Sequence, residues 1–209
     1  MPRPRKFDET DVVARAGRAF AETGYAGTSL DDLLAATGLA RQSLYNAFGG
    51  KKELFMRAFL SDATEAVEAV EAIRHGADTP IERIRAQLVK VAVTYGSAQT
   101  PPSLFTKAAV ELSARDPEVA SAVSDAFAAI QTHYAACIAE AQNAGEIDPG
   151  ADAASLGAFF CALIEGMTTL GGSGVPRSTL IDIAFTSLAA VPITELGHRR
   201  LGSGDGEWT

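Results

Sequence analysis

At 209 residues the chain is long enough for one medium domain or for a small domain joined to a larger one, and 47% hydrophobic residues are enough for a real core. A net charge of −8 argues against non-specific nucleic-acid binding by the chain as a whole, and two cysteines exclude a disulfide framework. No apolar run reads as the ~20 residues of a membrane span, and the basic opening MPRPRKFDET lacks the apolar stretch of a signal peptide, so a cytoplasmic protein is expected.

Charge is unevenly placed. Residues 1–55 hold eight Lys/Arg against seven Asp/Glu, whereas the remaining 154 hold 10 against 19. The acidity belongs to the second part, and the near-neutral head carries the basic clusters. Apolar residues recur at three- and four-residue intervals almost throughout, which predicts an all-α fold. A first helix starts near Asp8 with Val13, Ala16 and Phe20 inward, its acidic first turn suited to the helix dipole, and stops before Gly24. Thr28 or Ser29 caps a second helix, with Asp31 or Asp32 in capping-box position, Leu30, Leu33 and Leu34 inward, and Gly38 as its left-handed terminator. A third helix is anchored by Leu44 and Phe48, and a fourth runs from Lys51 to about Arg74.

Beyond GADTP, Thr79 and Pro80 open a fifth helix carrying Ile81, Ile84, Leu88, Val91 and Tyr95. Its VKVAV could be a strand alone but falls within the longer helical pattern. Pro101-Pro102 breaks it, a shorter helix reaches about Arg115, and Asp116-Pro117-Glu118 opens a long seventh helix to about Ala144. The eighth, about Asp152 to Leu170, is unusually apolar, and a ninth runs from beyond Pro176 to about Ala190. Nine helices are expected: a three-helix helix-turn-helix head in 1–50, a larger helical domain in 51–195, and a polar, Gly-rich tail in 196–209 without order.

The segment from Thr28 to Phe55 has the layout of a helix-turn-helix, whose second helix lies in the major groove of DNA. Gly24-Tyr25, Thr28-Ser29-Leu30, Gly38-Leu39, Leu44-Tyr45, Phe48, Lys51 and Leu54-Phe55 resemble the tetracycline-repressor (TetR/AcrR) family of transcriptional regulators. The sharp match covers about the first 60 residues; the rest fits in helix count, length and order. Leu30, Leu33, Leu44 and Phe48 would be needed by any three-helix head, so they speak for fold alone. Three positions depart from the common family pattern: Ala40 where Ser or Thr usually caps the recognition helix, Ala47, and Gly50.

On the third helix, Arg41, Gln42, Ser43, Tyr45 and Asn46 lie off the face used by Leu44 and Phe48. Arg suits guanine O6/N7 and Gln or Asn suits adenine N6/N7, so Arg41, Gln42 and Asn46 are the candidates for base edges. The resemblance implies a phosphate contact for Tyr45 and for Lys51; Thr28 and Ser29, at a helix N-terminus, suit another. Arg3, Arg5 and Lys6 read equally as a DNA-binding arm or as a plain tail.

The resemblance also implies a homodimer formed by the last two helices on a palindromic operator, with Phe159, Leu163 and Met167 on the eighth and Leu180, Ala184 and Leu188 on the ninth as its faces. It implies a small-molecule effector, expected here to be apolar or aromatic, that releases the operator from a pocket lined by Tyr95, Phe105, Phe127, Tyr134 and Phe160, with Glu111, His133 and Glu165 as polar contacts. No metal or cofactor is implied. His133 with Cys137, and Cys161 with Glu165, are four residues apart; they form a thiol or soft-metal sensor or are ordinary core residues. An enzyme is disfavoured, since no nucleophile elbow is present, the three histidines are scattered, and GGSG at 171–174 lacks a phosphate-loop setting. A helical ligand carrier without DNA binding is the other alternative.

Overall fold

The computed structural model describes residues 7–97 and 103–202. The Arg3, Arg5 and Lys6 arm, the Pro101-Pro102 break and residues 203–209 lie outside them. Ten α-helices follow in order: α1 (Glu9–Gly27), α2 (Leu30–Thr37), α3 (Arg41–Phe48), α4 (Lys51–Glu71), α5 (Pro80–Tyr95), α6 (Leu104–Leu112), α7 (Pro117–Asn143), α8 (Ala153–Gly172), α9 (Arg177–Ala189) and α10 (Glu195–Gly202), with a 3-10 turn at Ala72–His75. VKVAV lies within α5, and the described residues contain no named strand, only an isolated antiparallel bridge between Ile147 and Ile193.

The helix ends follow local chemistry. Asp8 caps α1 by accepting from Thr10 N–H at 2.8 Å. Ser29 and Asp32, rather than Thr28 and Asp31, make the capping box of α2, and Gly38 ends it in the left-handed region at φ 72°. Glu82 accepts from the Thr79 amide and hydroxyl before Pro80, which lacks the N–H that a first helical turn leaves free. In α1 it is Val12, not Val13, that is fully buried with Ala16 and Phe20.

The chain divides into two compact units, one drawn from 7–65 with 103–124 and the other from 66–97 with 125–202. This differs from a division at residue 50, because helices distant in sequence join the head. In the first unit an aromatic column forms the core: Phe20 meets Phe55 edge-on at 5.2 Å, Phe55 stacks on Phe59 at 6.0 Å, and Phe59 on Phe105 at 6.2 Å. Phe105 therefore belongs to this core and not to the effector pocket expected in the second domain.

In the second unit α5 packs against α8, α9 and α10. The Glu146 side chain, 2% exposed, accepts from Ile81 N–H at 2.9 Å and so satisfies a free amide at the start of α5. The tenth helix was expected as tail. Its glycines read as helix breakers, yet Gly197 is buried, and since any Cβ there would stand 2.2 Å from the Glu146 carbonyl oxygen, glycine is what lets α10 pack so closely. Arg85 donates to the Leu201 carbonyl at 2.5 Å and holds the far end of α10.

The apolar faces of α8 and α9 also differ from expectation. Met167, Leu180, Ala184 and Leu188 are buried within this unit, Leu163 is half-buried, and Phe159 remains 38% exposed beside Leu170 at 40% and Phe185 at 49%. Periodicity could not separate these faces, because α8 is apolar around its circumference; it is long and apolar enough by composition to cross a membrane, contrary to the reading that no such run exists. In this fold it buries Gly157, Phe160, Cys161, Met167 and Thr168 against its own unit.

Candidate nucleic-acid interface

Leu44 and Phe48, with 0% and 3% exposure, seat α3 in the core of the head. Their burial leaves Arg41, Gln42, Tyr45 and Asn46 exposed and Ser43 half-buried, so one short helix presents its polar side chains outward. The row is ordered. Gln42 Nε2 donates to Asn46 Oδ1 at 2.9 Å, one helical turn away. Arg41 Nη2 pairs with Asp31 of α2 at 2.9 Å with both side chains well exposed, a pair that water and salt weaken and that a stronger acceptor can replace. Tyr45 is 47% exposed, with its ring close to Gly50.

Ala40 stands at the start of α3 and offers no side-chain cap, while its carbonyl accepts from Ser43 and Leu44. The two turns flanking the segment therefore contrast: α2 is closed by a reciprocal box and α3 by backbone alone. Hydrogen bonds from the Ser29 hydroxyl and amide hold the Asp32 carboxyl below its ordinary value.

At the head of α4, Lys51 Nζ lies 4.5 Å from the centre of the Tyr25 ring. That ring is itself held edge-on to Phe55 at 4.9 Å. A cation over an aromatic face is attracted to it yet stays free to meet an anion on its outer side. Lys52 beside it pairs with Asp116 at 2.9 Å, and the pairing raises the lysine and lowers the aspartate from their ordinary values.

Two expected site residues are used elsewhere. Thr28 is 1% exposed; its hydroxyl donates to the Gly24 carbonyl at 2.6 Å and its amide to the same oxygen at 3.2 Å, so nothing remains for a phosphate. Glu111 is not a pocket side chain: its carboxylate accepts from Tyr25 and Ala26 N–H at 3.0 and 2.9 Å. The sequence signal here is Gly24, before which the first helix is expected to stop, but nothing local shows which distant side chain meets the break.

The remaining pocket candidates lie in the second unit. Tyr134 and Phe160 are fully buried with ring centres 6.1 Å apart, and Tyr95, Phe127, His133 and Glu165 are half-buried. The Tyr134 hydroxyl is buried without a hydrogen bond of normal geometry among the described residues, with the Gln87 side chain its near hydrogen-bonding neighbour. Burial, then the neighbouring Cys161 and Cys137, raises the phenol well above its ordinary range. Burial likewise pushes both thiols up to about 11, which keeps them protonated and poor as nucleophiles or metal ligands. Among the described residues no three His, Cys, Asp or Glu side chains gather as a metal set.

With this geometry in place, residues 12–58 match the bacterial regulatory proteins of the tetR family, and residues 80–171 match the tetracyclin repressor-like C-terminal domain. The chain is 30% identical over 193 residues to the HTH-type transcriptional repressor ComR of Escherichia coli (strain K12), covering 91% of each chain. It is 51% identical over 61 residues to the uncharacterized HTH-type transcriptional regulator YezE of Bacillus subtilis (strain 168), covering 29% of this chain and 31% of that one. Among solved structures it resembles a cysteine mutant of the TetR family regulator CifR in complex with a 26-bp double-strand operator, at TM-score 0.80 and 26% identity, over 91% of this chain and 100% of the other.

Proposed function

The chain belongs to the TetR family of DNA-binding transcriptional regulators, and on that premise we propose that it is a repressor which binds a palindromic operator as a homodimer and is released by a small-molecule effector. The observation that carries the DNA half is the exposed row Arg41, Gln42, Asn46 on a helix seated by Leu44 and Phe48. Arg41 exchanges Asp31 for a guanine edge, Gln42 and Asn46 turn from each other to adenines, and Ser43 assists at the groove edge. Tyr45, Lys51 and Ser29 take phosphates, Ser29 exchanging its bond to Asp32; these fix register and carry no sequence information. Thr28 has no part in this.

A second copy covers the free face of α8 and α9, formed by Phe159, Leu163, Gly166, Leu170 and Phe185. Exposed Phe159 on the apolar α8, exposed Phe185 on α9 and Gly166 open to close approach support that reading. The dimer sets two recognition helices about one helical turn of DNA apart, ~34–36 Å. The protein works in the cytoplasm, where its operator is.

The effector enters the second unit around Tyr134. The buried Tyr134 phenol has Gln87 as its near polar neighbour and no bond of normal geometry among the described residues, so an apolar or aromatic ligand with a hydrogen-bond acceptor would complete its bonding. Phe127, Phe160 and Tyr95 supply apolar surface, His133 and Glu165 polarity.

The experiment is selection of duplex DNA from a random pool by the purified protein, followed by salt titration. A palindromic consensus whose binding weakens steeply with salt is expected. Recovery of no consensus would favour the ligand-carrier alternative. Arg41→Ala should relax one base position per half-site and weaken binding by about 1–3 kcal/mol.

A further inference from the structure

Gly24 breaks α1 at φ 78° and ψ 170°. In an unbroken helix Tyr25 N–H would donate to the Ala21 carbonyl and Ala26 N–H to that of Glu22. Here both amides turn to α6, Tyr25 to Glu111 Oε2 at 3.0 Å and Ala26 to Oε1 at 2.9 Å. Both carbonyls accept from the same helix, with Lys107 Nζ 2.8 Å from Ala21 O and 2.7 Å from Glu22 O. Lys107 and Glu111 are one helical turn apart and share a face of α6. Two oppositely charged side chains thus meet the four backbone groups that the break sets apart, each with two bonds, and charge-assisted bonds are stronger and more directional than neutral ones.

The α6 helix that carries this splint is itself fixed to α4. Asp62 accepts from Phe105 N–H at 2.7 Å and from the Ser103 hydroxyl at 3.2 Å. The splint grips the backbone of the very residue whose ring underlies Lys51, since Tyr25 lies 4.5 Å from Lys51 Nζ and 4.9 Å from Phe55. Four residues beyond Tyr25, Ser29 opens α2. A Cβ at Gly24 would stand 2.6 Å from Glu111 Oε2, so the break and the carboxylate are fitted to each other.

We propose that Lys107 and Glu111 are positioning residues for operator binding: by splinting the break in α1 they set the angle at which Lys51 and the start of α2 reach the DNA backbone. This rests on the assignment of Lys51 to a phosphate. Neither residue touches DNA. A packing role alone would call for apolar side chains at α6; what the break requires instead is a donor pair and an acceptor pair in fixed directions.

The test uses the full-length chain and the duplex that the wild type selects from a random pool, titrated at several salt concentrations, with a thermal melt of every variant. Glu111→Gln presents an NH2 group to one of the two amides. Lys107→Met keeps the stem and loses the donors, Lys107→Arg keeps donors, and Lys51→Met is the direct phosphate control. At a temperature where all are folded, Glu111→Gln and Lys107→Met should bind about tenfold more weakly, with the slope of log K against log salt shallower by about 0.9 per lost phosphate. Lys107→Arg should restore both. If the two splint variants keep wild-type affinity and slope while Lys51→Met loses them, the positioning role is overturned and the phosphate assignment stands. If Lys51→Met keeps the wild-type slope, the phosphate assignment fails and the proposal with it. A lower melting point with unchanged slope marks a purely structural role and also overturns it. Should Glu111→Gln not fold, Glu111→Asp, one methylene short, is read by the same criteria.

Discussion

The two compact units differ in how closely their helices approach. In the one that contains α1–α3, charged side chains reach the backbone of a neighbouring helix: Lys107 and Glu111 at the α1 break, Asp62 at the start of α6. The other has such contacts as well, Glu146 to the Ile81 amide and Arg85 to the Leu201 carbonyl, but its helices also meet where side chains are absent. A Cβ at Gly157 of α8 would lie 2.7 Å from the Gln131 carbonyl oxygen of α7, and one at Gly171 would lie 2.5 Å from that of Tyr95 in α5. Hydrogen bonds constrain direction, whereas close glycine contacts constrain distance. A surface that must match the spacing of phosphates needs the first; a helical core needs the second.

The comparison is broken most severely at the glycines. Gly157→Val should cost about 3 kcal/mol, since the clash is with backbone that cannot rotate away, and a thermal melt would show it. A near-wild-type melting temperature would mean that α7 and α8 separate easily. Glu146→Ala comes next. It leaves the buried Ile81 amide without its acceptor and should cost about 2 kcal/mol by denaturant titration, with operator affinity per folded molecule retained.

A smaller gain is expected within the DNA-binding unit. Ala40→Ser supplies the missing cap of α3 and should stabilise by about 1 kcal/mol, read as a raised melting temperature. If it also tightens operator binding, fraying of α3 limits recognition; if not, the helix is ordered by Leu44 and Phe48 alone.

The smallest effect is the response to acid. Asp32, bonded by Ser29, and Asp152, bonded by Ser155, sit below the ordinary 3.8, and Glu82, bonded by Thr79, sits below 4.5. Each titrates lower when folded than when unfolded, so its contribution is complete above the ordinary value and is lost as pH falls through the lowered one. Melting temperature should therefore be flat from neutral pH and decline only below about pH 5, Glu82 first and the aspartates after it. Ser29→Ala, with one of these bonds removed, should flatten that decline slightly.

Much of the DNA-binding unit was legible because its signals are local. Capping residues lie three positions from their partners, Gly38 follows the last inward leucine of α2, and Leu44 and Phe48 define which side of α3 is free. The exceptions had a common cause. Thr28 looks like a helix start, but its side chain closes the previous helix by bonding Gly24. Phe105 and Glu111 fall in the second part of the sequence, yet they join the first unit through contacts with Phe59 and with Tyr25 and Ala26.

By itself the sequence determined an all-helical chain, the order of its first nine helices and the helix-turn-helix, because periodicity, caps and turns report on neighbours within a few residues; the resemblance to the family rested on particular motif residues from Gly24 to Phe55. Tertiary structure alone decided which face of α8 and α9 is core, leaving Phe159, Leu170 and Phe185 outside while burying Met167, Leu180, Ala184 and Leu188. A helix apolar all round has no phase for periodicity to read. Structure also decided that Glu195–Gly202 is a helix, since the use of Gly197 depends on the Glu146 carbonyl fifty-one positions away. The same holds for the break at Gly24. Its place is written in α1, but the groups that satisfy it come from α6, and only folding brings Lys107 and Glu111 to it.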